Sequence, residues 1–394
     1  MKKIMILLLI FFISPIYALN LPVDITSKGA IVINKDRNIV MYTKNADDKM
    51  ILASLTKIMS AYVVIKNVEN LNTVVVITEE DLKDLVGFTC IGLEKDNVVT
   101  YRDLLYGMML QSGADAAQAL ANHISGSNEE FVKLMNKEAE ELDLRNTVFA
   151  DSYGGSDQNI STARDIGLLL DEALKLPEFN KIFKTNYYVL SNGLTATNYT
   201  RNLAIYHGLD EFAITGNKSG YTPEAGLLLA STATINNEEY IIVVMKSKEN
   251  EKLTQHVLDT HRIINYIKNN NYEDRKVLGK NKNLEAIKVV NSTIDSYVPM
   301  ISKDIYEYLN DKELESLNYK YNIAKSIDST YKRGDNLGYI DILVGNELID
   351  TYNVYLDQDI FVKTASSSYI IIIIFLLIVA GAFLIIINLL LSRN

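Results

Sequence analysis

A serine and a lysine three residues apart, Ser54 and Lys57, open the first long helical pattern of the chain. Side chains three positions apart lie on the same face of a helix, so the lysine amine can reach the serine hydroxyl. Serine becomes an effective nucleophile when a neighbouring base takes its proton, and lysine is such a base once burial or a second cation lowers its pKa from about 10.4. The spacing therefore predicts a serine nucleophile with a lysine base.

The spacing alone is not specific, because Ser329 and Lys332 repeat it near the other end of the chain. Ser54 differs in having two further elements downstream. Ser112 follows between two helical patterns, and residues 218–220 (Lys-Ser-Gly) precede a strand-like run. An S-x-x-K pair, a second serine element and a K-[ST]-G strand together form the active sites of penicillin-binding proteins and class A β-lactamases. The order of the three elements favours one active site over unrelated cap and surface residues.

The sequence resembles the low-molecular-mass penicillin-binding proteins, the serine-type D-Ala-D-Ala carboxypeptidases of peptidase family S11, over about residues 25–267. The matching stretches are residues 53–59 (ASLTKIM), 147–151 (TVFAD) with 161–165 (STARD), and 218–226 (KSGYTPEAG). The resemblance implies a peptidoglycan stem peptide ending in D-Ala-D-Ala as substrate and β-lactams as inhibitors. It implies neither a metal nor an organic cofactor.

The resemblance also implies roles for the matching residues in acyl transfer. Ser54 is expected to be the acylated nucleophile, Lys57 its general base, and Ser112 a relay that passes protons to the leaving group. The backbone N–H groups of Ser54 and Tyr221 are expected to form the oxyanion hole, which needs no particular side chain.

The strand element is expected to bind the terminal carboxylate of the substrate. Lys218 supplies a cation, Ser219 a hydroxyl where the family usually has threonine, and Gly220 a backbone open to close approach. Arg201 resembles an arginine that contributes to carboxylate binding in some family members, although a surface arginine is the equal alternative.

The second element departs from the family pattern, because Ala114 stands where an asparagine is usual. The stretch from Ser316 to Asn318 carries a serine and an asparagine at that spacing, but it follows residues 218–220 in the wrong order. Losing one oriented hydrogen bond typically costs about 1–3 kcal/mol, so we expect a slower enzyme and not an inactive one. A non-catalytic wall-binding or scaffolding homologue is the alternative that Ala114 supports. A β-lactamase is the alternative among enzymes.

The elements that must position these residues change character along the chain. Strand-like runs at 29–33 and 38–42 come first, and helical patterns follow at about 54–68, 79–85, 101–110, 114–124 and 128–142. A strand hairpin at 226–233 and 240–245 and a helix at about 254–267 close the segment. This order predicts an α+β catalytic domain of the β-lactamase/transpeptidase type at 19–267. A polar linker at 268–283 and a small β-rich domain at 284–363 are expected to follow.

Composition excludes several classes of protein. Hydrophobic residues make up 48% of the 394 residues and charged residues 22%, which excludes a disordered chain. The net charge is −10 without a long basic run, so no nucleic-acid partner is expected. The single cysteine, Cys90, and four scattered histidines exclude zinc ribbons and His–Cys clusters.

Both ends of the chain carry targeting signals. Residues 1–18 combine two lysines, an apolar run and a small residue at the exit, which is typical of a secretory signal peptide cleaved after Ala18. Residues 369–387 contain no charge, and the apolar run continues to 391, long enough to span a bilayer. Arg393 supplies a positive charge on the cytoplasmic side. We therefore expect a secreted, membrane-anchored protein with an extracytoplasmic catalytic domain.

Overall fold

The computed structural model describes residues 23–210, 212–249, 254–362 and 367–391. By internal contacts the chain divides into two units, Met1–Tyr272 and Glu273–Asn394. The predicted signal peptide at 1–18 and Arg393 lie outside the described residues. Each unit is described by itself below.

The first unit contains eleven strands among its described residues. They are β1 (Gly29–Asn34), β2 (Ile39–Lys44), β3 (Met50–Ile51), β4 (Val74–Val76), β5 (Val98–Thr100), β6 (Ile160–Ser161), β7 (Tyr187–Val189), β8 (Thr195–Thr197), β9 (Ile214–Thr222), β10 (Gly226–Ile235) and β11 (Glu238–Ser247). Five of them form an antiparallel sheet in the order β2-β1-β11-β10-β9. The remaining six pair as short two-stranded ribbons, β3 with β6, β4 with β5 and β7 with β8.

The helices of the first unit form a block between β2 and β9, followed by one helix after the sheet. They are α1 (Thr56–Asn67), α2 (Tyr101–Leu110), α3 (Ala114–Ser125), α4 (Asn128–Glu141), α5 (Ala163–Leu174), α6 (Pro177–Phe183), α7 (Tyr199–Tyr206) and α8 (Gln255–Asn269). Short 3₁₀ turns at Ala53–Leu55 and Glu80–Leu82 complete the described helical structure of this unit. The α+β architecture expected from the sequence is confirmed.

The central strands are buried almost without interruption. All but one residue of β10 is buried, and α5 and α8 both pack against β11. A sheet covered by helices can carry apolar side chains on both faces. The sequence of β10 is therefore a mainly apolar run and does not alternate between apolar and polar residues. Strand β9, at one edge of this sheet, carries residues 218–220 and is held in position by its pairing with β10.

One predicted helix is absent from the structure, and three observed helices were not predicted. Residues 79–85 form only the 3₁₀ turn Glu80–Leu82, because the Asp81 carboxylate accepts hydrogen bonds from the Thr78 backbone N–H and hydroxyl, both at 2.8 Å. Such local side-chain bonds compete with helix extension. The helices α5, α6 and α7 were not predicted, although Thr162 caps α5 by accepting from the Asp165 N–H at 3.1 Å.

The second unit is mainly β-structure in its described part. Its elements are β12 (Glu273–Leu278), β13 (Ile287–Val290), β14 (Ser296–Tyr297), β15 (Ile305–Leu309), α9 (Asp311–Glu315), β16 (Leu317–Ile323), β17 (Ser326–Asp328), β18 (Asn336–Val344), β19 (Glu347–Tyr355) and α10 (Ser367–Leu391). The strands form three sheets, β12-β15, β14-β13-β17 and β16-β18-β19.

The predicted linker at 268–283 is wrong in detail. Helix α8 continues to Asn269, and β12 then pairs antiparallel with β15. Four of the six β12 residues are polar because the strand is mostly exposed, and Arg275 forms an ion pair with Asp311. The polarity that indicated a linker therefore belongs to a solvated strand that buries only Val277 and Leu278.

Helix α10 matches the apolar run near the C-terminus. Among the described residues, one helix is long and apolar enough to cross a membrane, with a mean hydropathy of 3.2 over Ile371–Asn388 and none of that window buried. Length and composition are the basis of this finding, and they agree with an anchor.

Candidate active site

The nucleophile candidate lies at the point where a 3₁₀ turn becomes α1. Ser54 is in the turn and half-buried, while Lys57 is in the first turn of the helix and 2% exposed. Lys57 Nζ lies 3.1 Å from Ser54 Oγ and donates to the Tyr153 carbonyl at 2.5 Å. The predicted pair is therefore brought within hydrogen-bond distance, with a backbone oxygen holding the amine.

Burial changes the acid–base behaviour of this amine. Removal from water lowers the pKa of Lys57 to about 8, while the negative charges of Asp151 and Asp115, and to a smaller extent Cys90, oppose that shift. Near neutral pH, an amine with this pKa is neutral far more often than an ordinary lysine, whose pKa is about 10.4. Lys57 is therefore able to accept a proton near neutral pH.

Ser112 and Lys218 form the second contact of the site. Ser112 lies between α2 and α3 with a φ of 65°, and Lys218 lies on β9 with 2% exposure. Lys218 Nζ donates to Ser112 Oγ at 3.0 Å and to the carbonyl of Ser219 at 2.7 Å. Burial, aided by the positive charge of Lys57, holds the pKa of Lys218 well below its usual range.

Gly220 brings β9 against Ser54, the candidate nucleophile. A Cβ atom added at Gly220 would lie 3.1 Å from the Ser54 backbone N and 3.4 Å from the Leu52 carbonyl oxygen. A side chain at this position would crowd the N–H of Ser54, which has to stay accessible in an oxyanion hole. Tyr221, the other predicted donor of that hole, is the next residue of the strand and is 40% exposed.

The departure from the family pattern, Ala114, begins α3 next to Ser112. Its side chain is 1% exposed, and its N–H donates to the Thr89 carbonyl at 2.7 Å. The neighbouring Asp115 carboxylate is also buried and accepts the N–H groups of Ile91, Gly92 and Leu93. The start of α3 is thus fixed to residues 89–93 by Asp115 and by backbone contacts.

The middle segment of the resemblance serves the site through its backbone. Thr147 Oγ1 donates to Asp165 Oδ2 at 2.8 Å and lies 2.7 Å from Ser161 Oγ, which joins the two stretches of that segment. Residues 151–156 between them form the loop that presents the Tyr153 carbonyl to Lys57. This loop was not predicted from the sequence, although the Gly154-Gly155 pair is a turn signal.

The two remaining candidates lie outside this contact set. Arg201 is half-buried on α7 with its guanidinium 4.7 Å from the centre of the Phe212 ring. Its helix is joined to β9 where Thr200 Oγ1 donates to Asn217 Oδ1 at 2.6 Å, one residue before Lys218. Ser329 lies in a turn of the second unit, where the S-x-x-K spacing does not produce a shared helix face.

The described residues contain no evident metal-binding cluster. No group of three or more His, Cys, Asp or Glu side chains among those residues is arranged to hold an ion. The site is built from hydroxyls, amines and backbone groups.

Comparison with known proteins decides the family. The family model described as D-alanyl-D-alanine carboxypeptidase, peptidase S11, matches residues 17–249. The chain belongs to the peptidase S11 family. A second model, the C-terminal domain of penicillin-binding protein 5, matches residues 272–361 and corresponds to the β-rich part of the second unit.

Individual relatives agree with this membership. The chain is 28% identical to the D-alanyl-D-alanine carboxypeptidase DacF of Bacillus subtilis over 347 residues, covering 85% of this chain and 86% of the relative. It is 32% identical to DacA of Haemophilus influenzae over 249 residues, covering 59% and 62%. The crystal structure of DacD from Francisella tularensis superposes with a TM-score of 0.69 at 20% identity, covering 86% and 95%, and supports the fold.

Membership confirms the predicted family, fold and enzyme class. The chain is a serine-type D-Ala-D-Ala carboxypeptidase, a hydrolase of the penicillin-binding group. The family implies a peptidoglycan peptide as substrate and binding of β-lactams.

Proposed function

We propose that this chain removes the terminal D-alanine from peptidoglycan stem pentapeptides through an acyl-enzyme on Ser54. The 3.1 Å distance between Lys57 Nζ and Ser54 Oγ is the observation that carries the proposal. The neutral Lys57 amine takes the Ser54 proton as Oγ attacks the carbonyl carbon of the penultimate D-alanine. General-base assistance of this kind contributes about 10²- to 10⁴-fold to the rate.

Release of D-alanine requires a proton at its nitrogen as the C–N bond breaks. Ser112 is suited to deliver it, because its hydroxyl accepts from Lys218 and can pass a proton onward. The proton that Lys57 took from Ser54 replaces the one that Ser112 gives up, so Lys57 is neutral again. Water then attacks the Ser54 ester with Lys57 as base, and the shortened peptide leaves with a new carboxylate. The backbone N–H groups of Ser54 and Tyr221 would stabilise the oxyanion of both steps, each donor contributing about 10²- to 10³-fold.

Recognition of the substrate's terminal carboxylate falls to β9. Lys218, Ser219 and Gly220 supply a cation, a hydroxyl and an open backbone, and Arg201 is a further candidate from the adjoining α7. Because the pKa of Lys218 is lowered by burial, an arriving carboxylate would favour its protonated form and so strengthen its own binding.

The test is a pair of serine substitutions assayed in two ways. Ser54→Ala should abolish both labelling by fluorescent penicillin and D-alanine release from diacetyl-Lys-D-Ala-D-Ala. Ser329→Ala, which changes the serine of the other S-x-x-K pair, should alter neither. Labelling that survives in Ser54→Ala would overturn the assignment. Rapid release of hydrolysed penicillin with no peptide turnover would identify a β-lactamase instead.

We further propose that the protein is secreted and held in the membrane by α10, with its catalytic unit outside the cytoplasm. The exposed apolar window Ile371–Asn388 supports an anchor, and the N-terminal residues have the composition of a signal peptide. The full-length protein should stay with membranes in high salt, and a variant truncated after Val362 should be soluble. Release of the full-length protein by salt would indicate peripheral attachment.

A further inference from the structure

One buried carboxylate organises the loop beside the nucleophile. Asp151 is 6% exposed and accepts five hydrogen bonds from its own neighbourhood. Its Oδ1 accepts from the backbone N–H groups of three successive residues, Tyr153 (2.9 Å), Gly154 (2.5 Å) and Gly155 (3.2 Å). Its Oδ2 accepts from the backbone N–H of Ser156 (2.6 Å) and from Nδ2 of Asn159 (3.0 Å). The carboxylate thus satisfies the donors of a tight loop that would otherwise be left unpaired.

The shape of this loop determines where the Tyr153 carbonyl points. With its N–H groups turned towards Asp151, the loop directs that carbonyl to Lys57 Nζ, 2.5 Å away. The loop also passes very close to the nucleophile's turn, because a Cβ added at Gly154 would lie 1.9 Å from the Ala53 carbonyl oxygen. Gly154 has a φ of +83°, which a glycine adopts without strain.

We propose that Asp151 is a positioning residue for the Ser54–Lys57 pair: its carboxylate folds residues 151–156 into the loop whose Tyr153 carbonyl holds the Lys57 amine beside Ser54. This inference rests on the proposed function and adds to it a residue that does not touch the substrate. A mispositioned amine loses its alignment with Ser54 Oγ, and errors of about 1 Å in such geometry reduce rates by about 10².

The charge of Asp151 gives the proposal a distinctive signature. The groups that face Lys57 are Asp151 from the loop, Asp115 from α3, Cys90, and Lys218 from β9. Burial lowers the pKa of Lys57. Among the charges that raise it, Asp151 has the largest effect. Removing that charge should lower the pKa of Lys57, so the neutral base should appear at a lower pH. Simple loosening of the loop would admit water and move the pKa upwards.

The experiment compares Asp151→Asn with Asp157→Asn, which makes the same change at an exposed position of the same segment. Second-order rates of acylation by labelled penicillin are measured from pH 6 to 9.5. In Asp151→Asn the plateau rate should fall at least tenfold and the acid limb should move to lower pH. Asp157→Asn should match the wild type. A uniform fall without movement of the limb would show a merely structural role and overturn the proposal, as would a wild-type profile.

Two further variants protect the test against misfolding. Asp151→Glu keeps the charge on a longer side chain, so its plateau should fall while its acid limb stays near the wild-type position. Gly154→Ala leaves Asp151 unchanged but displaces the loop, and its plateau should fall too. Wild-type rates in both would overturn the proposal. Final labelling of one penicillin per chain confirms a folded site in each variant. Labelling retained in Ser54→Ala would instead overturn the proposed function, so the two failures are distinguishable.

Discussion

Lys218 hydrogen-bonds to Ser112 at 3.0 Å, and this contact joins the sheet to the junction between α2 and α3. Neither residue is informative alone, since a lysine on a strand and a serine at a helix end are common. Together with the Ser54–Lys57 contact at 3.1 Å they form two serine–lysine pairs, and the charge of Lys57 acts on Lys218. Proton transfer in this enzyme is therefore expected to depend on both pairs at once.

The acylation rate should follow the titration of Lys57. Only the neutral amine accepts the Ser54 proton, and its pKa is lowered to about 8, so the rate should rise with pH below that value and level off above it. Penicillin acylation measured from pH 6 to 9.5 tests this. A rate that is constant, or that falls as the pH rises from 6 to 8, would contradict a Lys57 base.

Gly154→Ala should slow acylation by more than the backbone strain of its positive φ would explain. The new Cβ would meet the Ala53 carbonyl oxygen at 1.9 Å, so the loop or the Ser54 turn has to move, and we expect acylation to fall at least about 10²-fold. Gly126→Ala is the matched control. Gly126 has almost the same φ, +82°, with nothing within 4 Å of an added Cβ. It should lose about 1 kcal/mol of stability and keep its acylation rate. Equal rates in the two variants would refute the argument.

Ala114→Asn should speed turnover of the peptide. The wild type lacks the amide found in the family pattern, a deficit of about 1–3 kcal/mol that corresponds to roughly 5- to 150-fold in rate. We therefore expect measurable D-alanine release from diacetyl-Lys-D-Ala-D-Ala by the wild type and faster release by the variant. Both rates are divided by the number of penicillin-labelled sites. A wild type that takes the label but releases no D-alanine would favour the scaffolding alternative.

The second unit should lose stability as the pH rises. Burial, together with the charge of Asp350, raises the pKa of Glu307 to about 8, whereas an unfolded chain has a value near 4.5. A carboxyl with a raised pKa contributes most below the unfolded value, and its contribution is lost as the pH rises through about 8. Asp350→Asn should therefore raise the melting temperature at pH 8.5 more than at pH 5.

Calorimetry of the full chain at both pH values checks this, with Asp295→Asn as the control. Asp295 is exposed in the same unit, so its replacement should have a similar small effect at both pH values. An equal response of the two variants would contradict the role of the Glu307–Asp350 contact.

The sequence was sufficient for the parts of the protein that depend on local pattern. Helix α2 begins and ends at Tyr101 and Leu110 as predicted, because Thr100 and Asp103 form a capping box that marks its start. The strands β10 and β11 and the family itself were likewise predictable, since long apolar runs and ordered motifs are visible in one dimension.

What the sequence did not predict depends on contacts between distant residues. Asp151 resembles any surface turn carboxylate until the structure shows it buried among backbone N–H groups. Asp115 likewise follows Ala114 without any sign that it binds residues 91–93. The strand β12 has the polar composition of a linker, and its partner β15 lies about thirty residues further on, so its own composition does not reveal the pairing.

The backbone of Ala53, which adopts a φ of 42° immediately before Ser54, has a consequence for attempts to engineer this enzyme. The left-handed conformation costs an alanine about 1–2 kcal/mol, but alanine also restricts the unfolded chain by about 0.4–1 kcal/mol relative to glycine. Replacing Ala53 by glycine would therefore change the melting temperature little while freeing the turn that carries Ser54. Selection for thermostability alone would not remove such a change. Libraries of variants built around this turn therefore have to be screened for catalysis.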